Sequence, residues 1–208
     1  MKITNLGHAS FLIEGKDVSV VIDPYRDGSV PNLKMPRISA NYAFKSHDHY
    51  DHDALNLVNI IPTNVNLDYE TIIVPHDHHN GTKRGLNKIH IFNIDGYKVI
   101  HTGDLGCIPG KEVLEQLKKA DVILAPINGF YTISAQELHE ILHLIEPKIC
   151  IPMHYFRAQD NSGYPDGGQI DIFKRLEPDY YEVNDCAIDI NGDTLKKRVI
   201  IFNKELRG

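Results

Sequence analysis

The first chemistry in this chain is offered by Lys45-Ser46-His47-Asp48-His49-Tyr50-Asp51-His52, which holds the pattern His-x-His-x-Asp-His. Imidazoles and carboxylates crowded this closely make a poor apolar core. They make a good nest for a divalent transition metal, because zinc and its neighbours take imidazole nitrogen and carboxylate oxygen at about 2.0 to 2.2 Å. In an extended segment alternate residues point the same way, so His47 and His49 can grip one ion as a pair. Asp51 and His52 lie one step further on, where a turn would aim both at a second ion. A solvated loop that binds nothing would need no distant partners, and the chain supplies several.

Those partners depend on the elements that carry them. Ile3 to Leu6, Ser10 to Glu14 and Val18 to Ile22 read as short strands, and Asp23-Pro24 ends the third. A buried carboxylate there is expected to accept hydrogen bonds from neighbouring loops. The stretch 27–37, rich in Gly, Pro, Ser and Asn, reads as a surface loop or lid. Asn41 to Lys45 is a short strand delivering the histidines, and Ala54 to Ile61 a weak helix. Thr71 to Val74 is a strand running into Pro75-His76-Asp77-His78-His79, and Asp95-Gly96 joins Ile89 to Ile94 with Tyr97 to His101 in a hairpin. Helices follow at Lys111 to Lys119 and Ser134 to Glu146, the latter with Leu138, Ile141, Leu142 and Ile145 at helical spacing. Val122 to Ala125 and Ile149 to Pro152 read as buried strands, and Cys186 to Ile190 with Thr194 to Phe202 as a second hairpin around Asn191-Gly192. His47 to His52, His76, Asp104 and His154 all follow the C-terminal ends of predicted strands, where scaffolds place functional groups.

The whole chain sets the frame. Its 208 residues fit one domain, 1–208, with 42% hydrophobic and 24% charged residues. A net charge of −6 without a basic run leaves no electrostatic footprint for nucleic acid and points to a small-molecule substrate. Cys107, Cys150 and Cys186 form no Cys-x-x-Cys pair, so neither a disulfide framework nor a thiolate zinc site is expected. The first residues lack an apolar signal core and no run suits a membrane helix, so a cytoplasmic protein is expected. Nothing here sets an oligomeric state.

With His-x-His-x-Asp-His, Thr102-Gly103-Asp104, Pro152-Met153-His154, the opening Leu6-Gly7-His8-Ala9-Ser10-Phe11 and Asp23-Pro24 in place, the chain resembles the metallo-β-lactamase superfamily over positions 6 to 156. Its opening is similar to a subgroup that includes ascorbate-6-phosphate lactonases and uncharacterised metal-dependent hydrolases. The resemblance implies an α/β fold, a four-layer αββα sandwich, with a dinuclear cleft. It implies one ion on His47, His49 and a third histidine, a second on Asp51, His52 and His154, and Asp104 bridging them. The third histidine comes from His76, His78 and His79: His76 stands first after the strand, and His79 is next. Two divalent ions are implied, zinc foremost and manganese or iron as alternatives. Their hydroxide would attack an ester, lactone or phosphodiester, with Asp51 and Asp104 as the catalytic carboxylates. His8, Tyr50, His79, Arg84, Tyr155, Arg157 and the Asn128 to Tyr131 loop are candidates for substrate contact.

Three features complicate this reading. Where the subgroup has Gly-Asp-Leu-Gly-His, this chain has Cys107, expected as a small buried residue. His139-Glu140-Ile141-Leu142-His143 spells the helical zinc-peptidase signature, but Pro147 ends the helix soon after and the apolar stripe leaves both histidines on the polar side. An iron-dependent redox protein on the same fold is the other alternative. His90 and His101 are expected in packing or in support of the ligands.

Overall fold

The computed structural model describes residues 1–208. Strands β1 (Lys2–Gly7), β2 (Ser10–Glu14) and β3 (Ser19–Ile22) form an antiparallel meander, to which β5 (Tyr42–Phe44) adds in parallel and β13 (Ala187–Asp189) on the far side, giving the order β13-β1-β2-β3-β5. The second sheet repeats this plan. Strands β7 (Asp68–Pro75), β8 (Leu86–Ile94) and β9 (Tyr97–His101) form a meander, and β10 (Val122–Pro126), β11 (Ile149–Met153), β14 (Val199–Phe202) and β12 (Tyr180–Val183) continue it in parallel, in the order β12-β14-β11-β10-β9-β8-β7. Asp95 and Gly96, at φ of 53° and 79°, turn β8 into β9 as the hairpin signal requires.

The strand sequences divide their side chains by parity. On β10 and β11, Val122, Leu124, Ile149 and Ile151 face the first sheet and meet Ile3, Phe11, Ile13, Val20 and Ile22 there. Their neighbours Ile123, Ala125 and Cys150 face outwards, onto Leu117 of α1 (Lys111–Leu117), the Leu138, Ile141, Leu142 and Ile145 stripe of α2 (Ala135–Ile145) and Phe173 of α3 (Gln169–Leu176). Strands buried on both faces must be continuously apolar, which is how these segments read. Helix α2 starts from a capping box: Ser134 Oγ accepts from the Glu137 amide, and Glu137 Oε2 accepts from the Ser134 amide at 2.8 Å.

The two sheets and one helical layer of the expected αββα sandwich are present, and the other outer layer contains no α-helix. Over the first sheet lie Tyr25, Val30, Leu33 and Met35 of the 24–37 loop, plus the small parallel pair β4 (Ile38–Ala40) and β6 (Val58–Ile60). The expected lid is thus mostly packed as this layer, clamped where Asp27 takes the Arg37 guanidinium at 2.7 Å and the Met35 amide at 3.1 Å. The helix expected at 54–61 is only a 3-10 turn at Leu55–Leu57 before β6, because β-branched Val58 and Ile60 pair with Ile38 and Ala40.

The tail hairpin is also corrected. Asn191 Oδ1 accepts from the amides of Asp193 and Thr194 and redirects the chain, sending β13 to the first sheet and β14 to the second. Val199-Ile200-Ile201-Phe202 is buried throughout and needs an interior position, not a hairpin edge. Helix α3, with Ile170, Ile172, Phe173 and Leu176 on the core, and strand β12 were not expected from the sequence; both are short, of eight and four residues. No helix is long and apolar enough to cross a membrane.

Candidate metal centre

The ends of β5, β7, β9 and β11 open onto one edge of the two sheets, and the turns there use unusual backbone. His8, Asp23 and His154 take left-handed φ of 57°, 50° and 54°, and the His154 amide donates to the His8 carbonyl, joining the two sheets beside the cluster. Gly103, at φ 54°, lies so close to Ser46 and Asn87 that a Cβ would come within 2.2 Å of Asn87 Oδ1. Asn87 grips this turn from both sides, donating to the Thr102 carbonyl at 2.8 Å and accepting from the Asp104 amide at 2.9 Å. Asp104 is thereby aimed inwards. Gly106 allows a second close approach, since a Cβ there would lie 2.1 Å from the His76 carbonyl carbon.

Seven side chains meet at this edge. His49 Nδ1 lies 2.9 Å from His47 Nε2 and 3.3 Å from His76 Nε2. Asp104 Oδ2 stands 3.3 Å from the Nε2 atoms of His52 and His154, 3.5 Å from that of His76 and 3.8 Å from that of His47. Asp51 Oδ2 lies 3.6 Å from His52 Nε2, and His8 Nε2 adds itself at 3.2 Å from the same oxygen.

Protonation follows from the hydrogen bonds. Asp23 accepts from the Ser46 amide at 2.6 Å, the Ser46 hydroxyl at 2.7 Å and His52 Nδ1 at 2.9 Å. With its proton committed to Asp23, Ser46 Oγ must accept from His47 Nδ1, 2.8 Å away. Asp23 therefore turns the Nε2 atoms of both His47 and His52 towards the cluster, and a carboxylate in this place is what stands behind metal-bound histidine. His101, fully buried, donates through Nε2 to the Ala9 carbonyl and accepts from the Gly103 amide. His90 is buried between Thr71 and the Lys45 carbonyl.

Electrostatics agree with a cation-shaped gap. Burial opposes ionisation of Asp104, but His154 and His52 hold it well below the usual carboxylate range. Burial likewise opposes charge on Asp23, which His52 and His101 nevertheless lower to about 2. Burial lowers His47 to about 3 and His8 to about 4, and also lowers His76. Burial pulls His52 down too, but Asp104 and Asp23 carry it well above its ordinary value. His52 Nε2 and Asp104 Oδ1 are buried without a hydrogen-bond partner. Nitrogens around 3.3 Å apart are the edges of a tetrahedron whose centre lies about 2.0 Å from each. The donor set therefore fits divalent metal.

These shifts set an acid limit on stability. His8, His47, His76, His90 and His101 are all held below 6.5 by burial, so below that pH the unfolded chain binds protons that the folded one refuses. Stability then falls with falling pH, from 6.5 towards about 4 for His8. His52, raised, works the other way: its stabilisation is complete below 6.5 and is lost as pH rises through its folded value. With five groups opposing one, the melting temperature of chelator-stripped protein is expected to drop steadily between pH 7 and 4.5, followed by calorimetry. A flat profile would contradict the assignment of neutral buried histidines.

The structure also sorts the other candidates. His76 is the histidine beside His49, whereas His78 and His79 are exposed; His78 instead pairs with Glu137 at 2.6 Å. His79 lies outside the cleft, so it is not placed for substrate contact there. Tyr155 and Arg157, also expected at the substrate, point away from the cleft. The Tyr155 hydroxyl donates to the Phe202 carbonyl, and Arg157 ion-pairs with Glu205 and Asp160, because the strand's exit turns them towards the C-terminal tail. His8 sits within the cluster and not in the cleft wall. Tyr50 and Arg84 do line the cleft, a cavity of about 440 Å³ shared with Ser29, Tyr131 and Tyr164. Tyr131 was expected there only as part of the 128–131 loop, and Ser29 and Tyr164 were not foreseen. Cys107 is only half-buried, its thiol pushed up by burial.

His139 and His143 meet Glu177, but each Nδ1 is already bonded, to Glu177 Oε1 at 2.8 Å and to the His139 carbonyl at 2.9 Å. Glu140, the residue a peptidase would need, is exposed, and none of these side chains lines the cleft. His139→Ala is expected to leave metal content unchanged by elemental analysis and to cost about 1 kcal/mol at most.

A family profile described as "Beta-lactamase superfamily domain" matches residues 2–154. A UPF0173 metal-dependent hydrolase of Archaeoglobus fulgidus is 32% identical, the match covering 74% of this chain and 83% of the relative. The chain belongs to the UPF0173 metal-dependent hydrolase family of the metallo-β-lactamase superfamily. A UPF0173 protein of Pyrococcus abyssi is similar at 30% identity over 84% of this chain and 90% of its own length. The structure of a provisionally assigned Zn-dependent hydrolase of this superfamily from Thermotoga maritima superposes with a TM-score of 0.70 at 26% identity, covering 97% of each chain. The metallo-β-lactamase fold and a metal-dependent hydrolase activity follow for this UPF0173 member.

Proposed function

We propose that this enzyme hydrolyses an ester, lactone or phosphodiester of a small polar substrate at a two-cation centre. His47, His49 and His76 would hold one ion, Asp51, His52 and His154 the other, and Asp104 both. The observation that carries this reading is the Asp104 carboxylate, whose Oδ2 stands 3.3 to 3.8 Å from imidazoles of both triads. A shared carboxylate offsets the repulsion between cations about 3.5 to 4 Å apart. Zinc suits so imidazole-rich a set and is the metal named for the Thermotoga maritima protein; manganese and iron are the alternatives. Such a pair supplies Lewis acidity and hydroxide near neutral pH when bound.

The chain's own groups do the rest. Burial opposes ionisation of Asp51, but His8 and His52 keep it far below the usual carboxylate range, so at neutral pH it is an acceptor that can orient a hydroxyl in the cleft. Tyr164 lines the wall as a protonated phenol, raised to about 12 by burial, with its hydroxyl donating to the Ser29 carbonyl. Walls bearing tyrosine hydroxyls suit a polar substrate better than a long acyl chain. Phosphorylated sugar lactones belong to the class so defined.

The test is metal quantification on protein purified without added metal, joined to a chromogenic panel of phosphodiesters, phosphomonoesters, lactones, thioesters and β-lactams. About two equivalents of metal and turnover of a member of the panel are expected. Stoichiometric iron with oxygen-dependent turnover would replace this reading by a redox one.

A further inference from the structure

We propose that Arg84 and Tyr131 form an oxyanion-recognition subsite in the cleft wall, so that the substrate carries a phosphate or carboxylate group apart from the bond that is cleaved. This rests on the hydrolase reading above and specifies its substrate class.

The carboxylates that line the cleft are already paired. Asp48 pairs with Lys45, Asp51 with His8 and His52, and Asp104 with the imidazoles around it. Arg84 is the one cationic arginine or lysine in that wall, and no carboxylate lies within 4.0 Å of its guanidinium. None of its side-chain donors has a hydrogen-bond partner in the protein. An arginine that serves structure normally spends its fork on carbonyls or carboxylates, as Arg157 does on the Asn203 carbonyl and Glu205.

The same arginine is held still. Asp77, nearly buried, accepts four amides of its own loop: those of His79 at 2.7 Å, Gly81 at 3.0 Å, Lys83 at 3.0 Å and Arg84 at 2.8 Å. The loop closes where the Gly85 amide meets the Gly81 carbonyl at 2.9 Å. Above it, the Arg84 guanidinium carbon lies 4.5 Å from the centre of the Tyr131 ring. Tyr131 is fixed in turn, its amide bonded to Asn128 Oδ1 at 3.1 Å and its ring edge-packed on Tyr164 at 5.6 Å. Tyr164 stacks towards His154 at 6.2 Å, so an aromatic wall runs from the guanidinium to the imidazole cluster.

A guanidinium stacked on one face keeps its edge of parallel N–H donors open, which matches the two oxygens of a carboxylate or phosphate. Holding it in advance removes the ordering cost that a free arginine would meet on binding. On a chain of net charge −6, such a local cation favours the approach of an anionic substrate to this side of the cleft.

The experiment compares wild type, Arg84→Gln and Arg84→Lys, all metal-loaded, on matched p-nitrophenyl esters: the neutral acetate and the carboxylate-bearing hemiglutarate. For the charged ester Arg84→Gln is expected to raise KM about tenfold or more with kcat little changed, and Arg84→Lys to fall between. The acetate KM is expected to be the same in all three. Equal changes for both esters, or none for either, would overturn the subsite. A second arm measures glutarate and glycerol 3-phosphate binding by calorimetry, without need of turnover, and distinguishes the two anions. Arg84-dependent binding of either supports the subsite even if neither ester is cleaved, an outcome that would tell against ester hydrolysis alone. Binding of both that is indifferent to Arg84→Gln would overturn the subsite and leave the hydrolase reading standing.

Discussion

Asp104→Ala is expected to lower turnover by about a thousandfold or more and to bring bound metal from about two equivalents to one or fewer. Asp104 is the carboxylate in contact with His47, His52, His76 and His154 together, so its loss uncouples both triads at once. The backbone there is fixed by Asn87 and by the left-handed Gly103, so no neighbouring acid can swing into its place. Removing a buried carboxylate also strips His52 of the partner that raises it most. Elemental analysis and turnover on whichever ester the panel identifies provide the readouts. Full activity with metal retained would mean that the two-cation arrangement is wrong.

Asp23→Asn is expected to weaken metal affinity by about 10- to 100-fold. Asparagine tolerates the left-handed backbone at this position, so the substitution changes chemistry and not conformation. Its amide cannot accept on both sides: either its NH2 meets the Ser46 amide, or it meets the Ser46 hydroxyl and His52, and a His52 turned to its other tautomer presents a proton where its lone pair should be. The same buried group loses its pairing in the metal-free protein, at a cost of about 3 kcal/mol. A fall in melting temperature of roughly 6 to 12 °C corresponds to that loss. Denaturation with and without chelator separates the contributions, and an unchanged melting temperature in chelator would contradict the role given to Asp23.

Much of the candidate centre was legible because its side chains follow strands, and strands end in punctuated sequence. His47 to His52, Asp104 and His154 each follow an apolar run that had nowhere to go but a sheet, so their convergence could be argued before any coordinates. His76 could be preferred over His79 for the same reason, its place directly behind β7. Tyr164 and Ser29 could not be found this way, because they reach the cleft from turns whose path depends on packing against distant loops, and Tyr131 could be named only along with its 128–131 loop. Tyr155 and Arg157 misled because proximity to His154 in sequence says nothing about which way a chain leaves a strand. The tail hairpin misled for a related reason: Asn191-Gly192 marks a reversal, but only burial decides whether the following strand returns to its neighbour or crosses to another sheet.

The link between His8 and His154 has a bearing on how the enzyme is made. The first sheet presents His8 and the histidine run and the second presents His76, Asp104 and His154, so the centre cannot close until residue 154 has left the ribosome and the two sheets have met. Before then His47 and His49 are adjacent in a growing chain, free to chelate an ion with whatever donor comes near. With the proposed ligand set, metal acquisition would come at the end of folding, and a chain that took its ion too early would hold it in the wrong company.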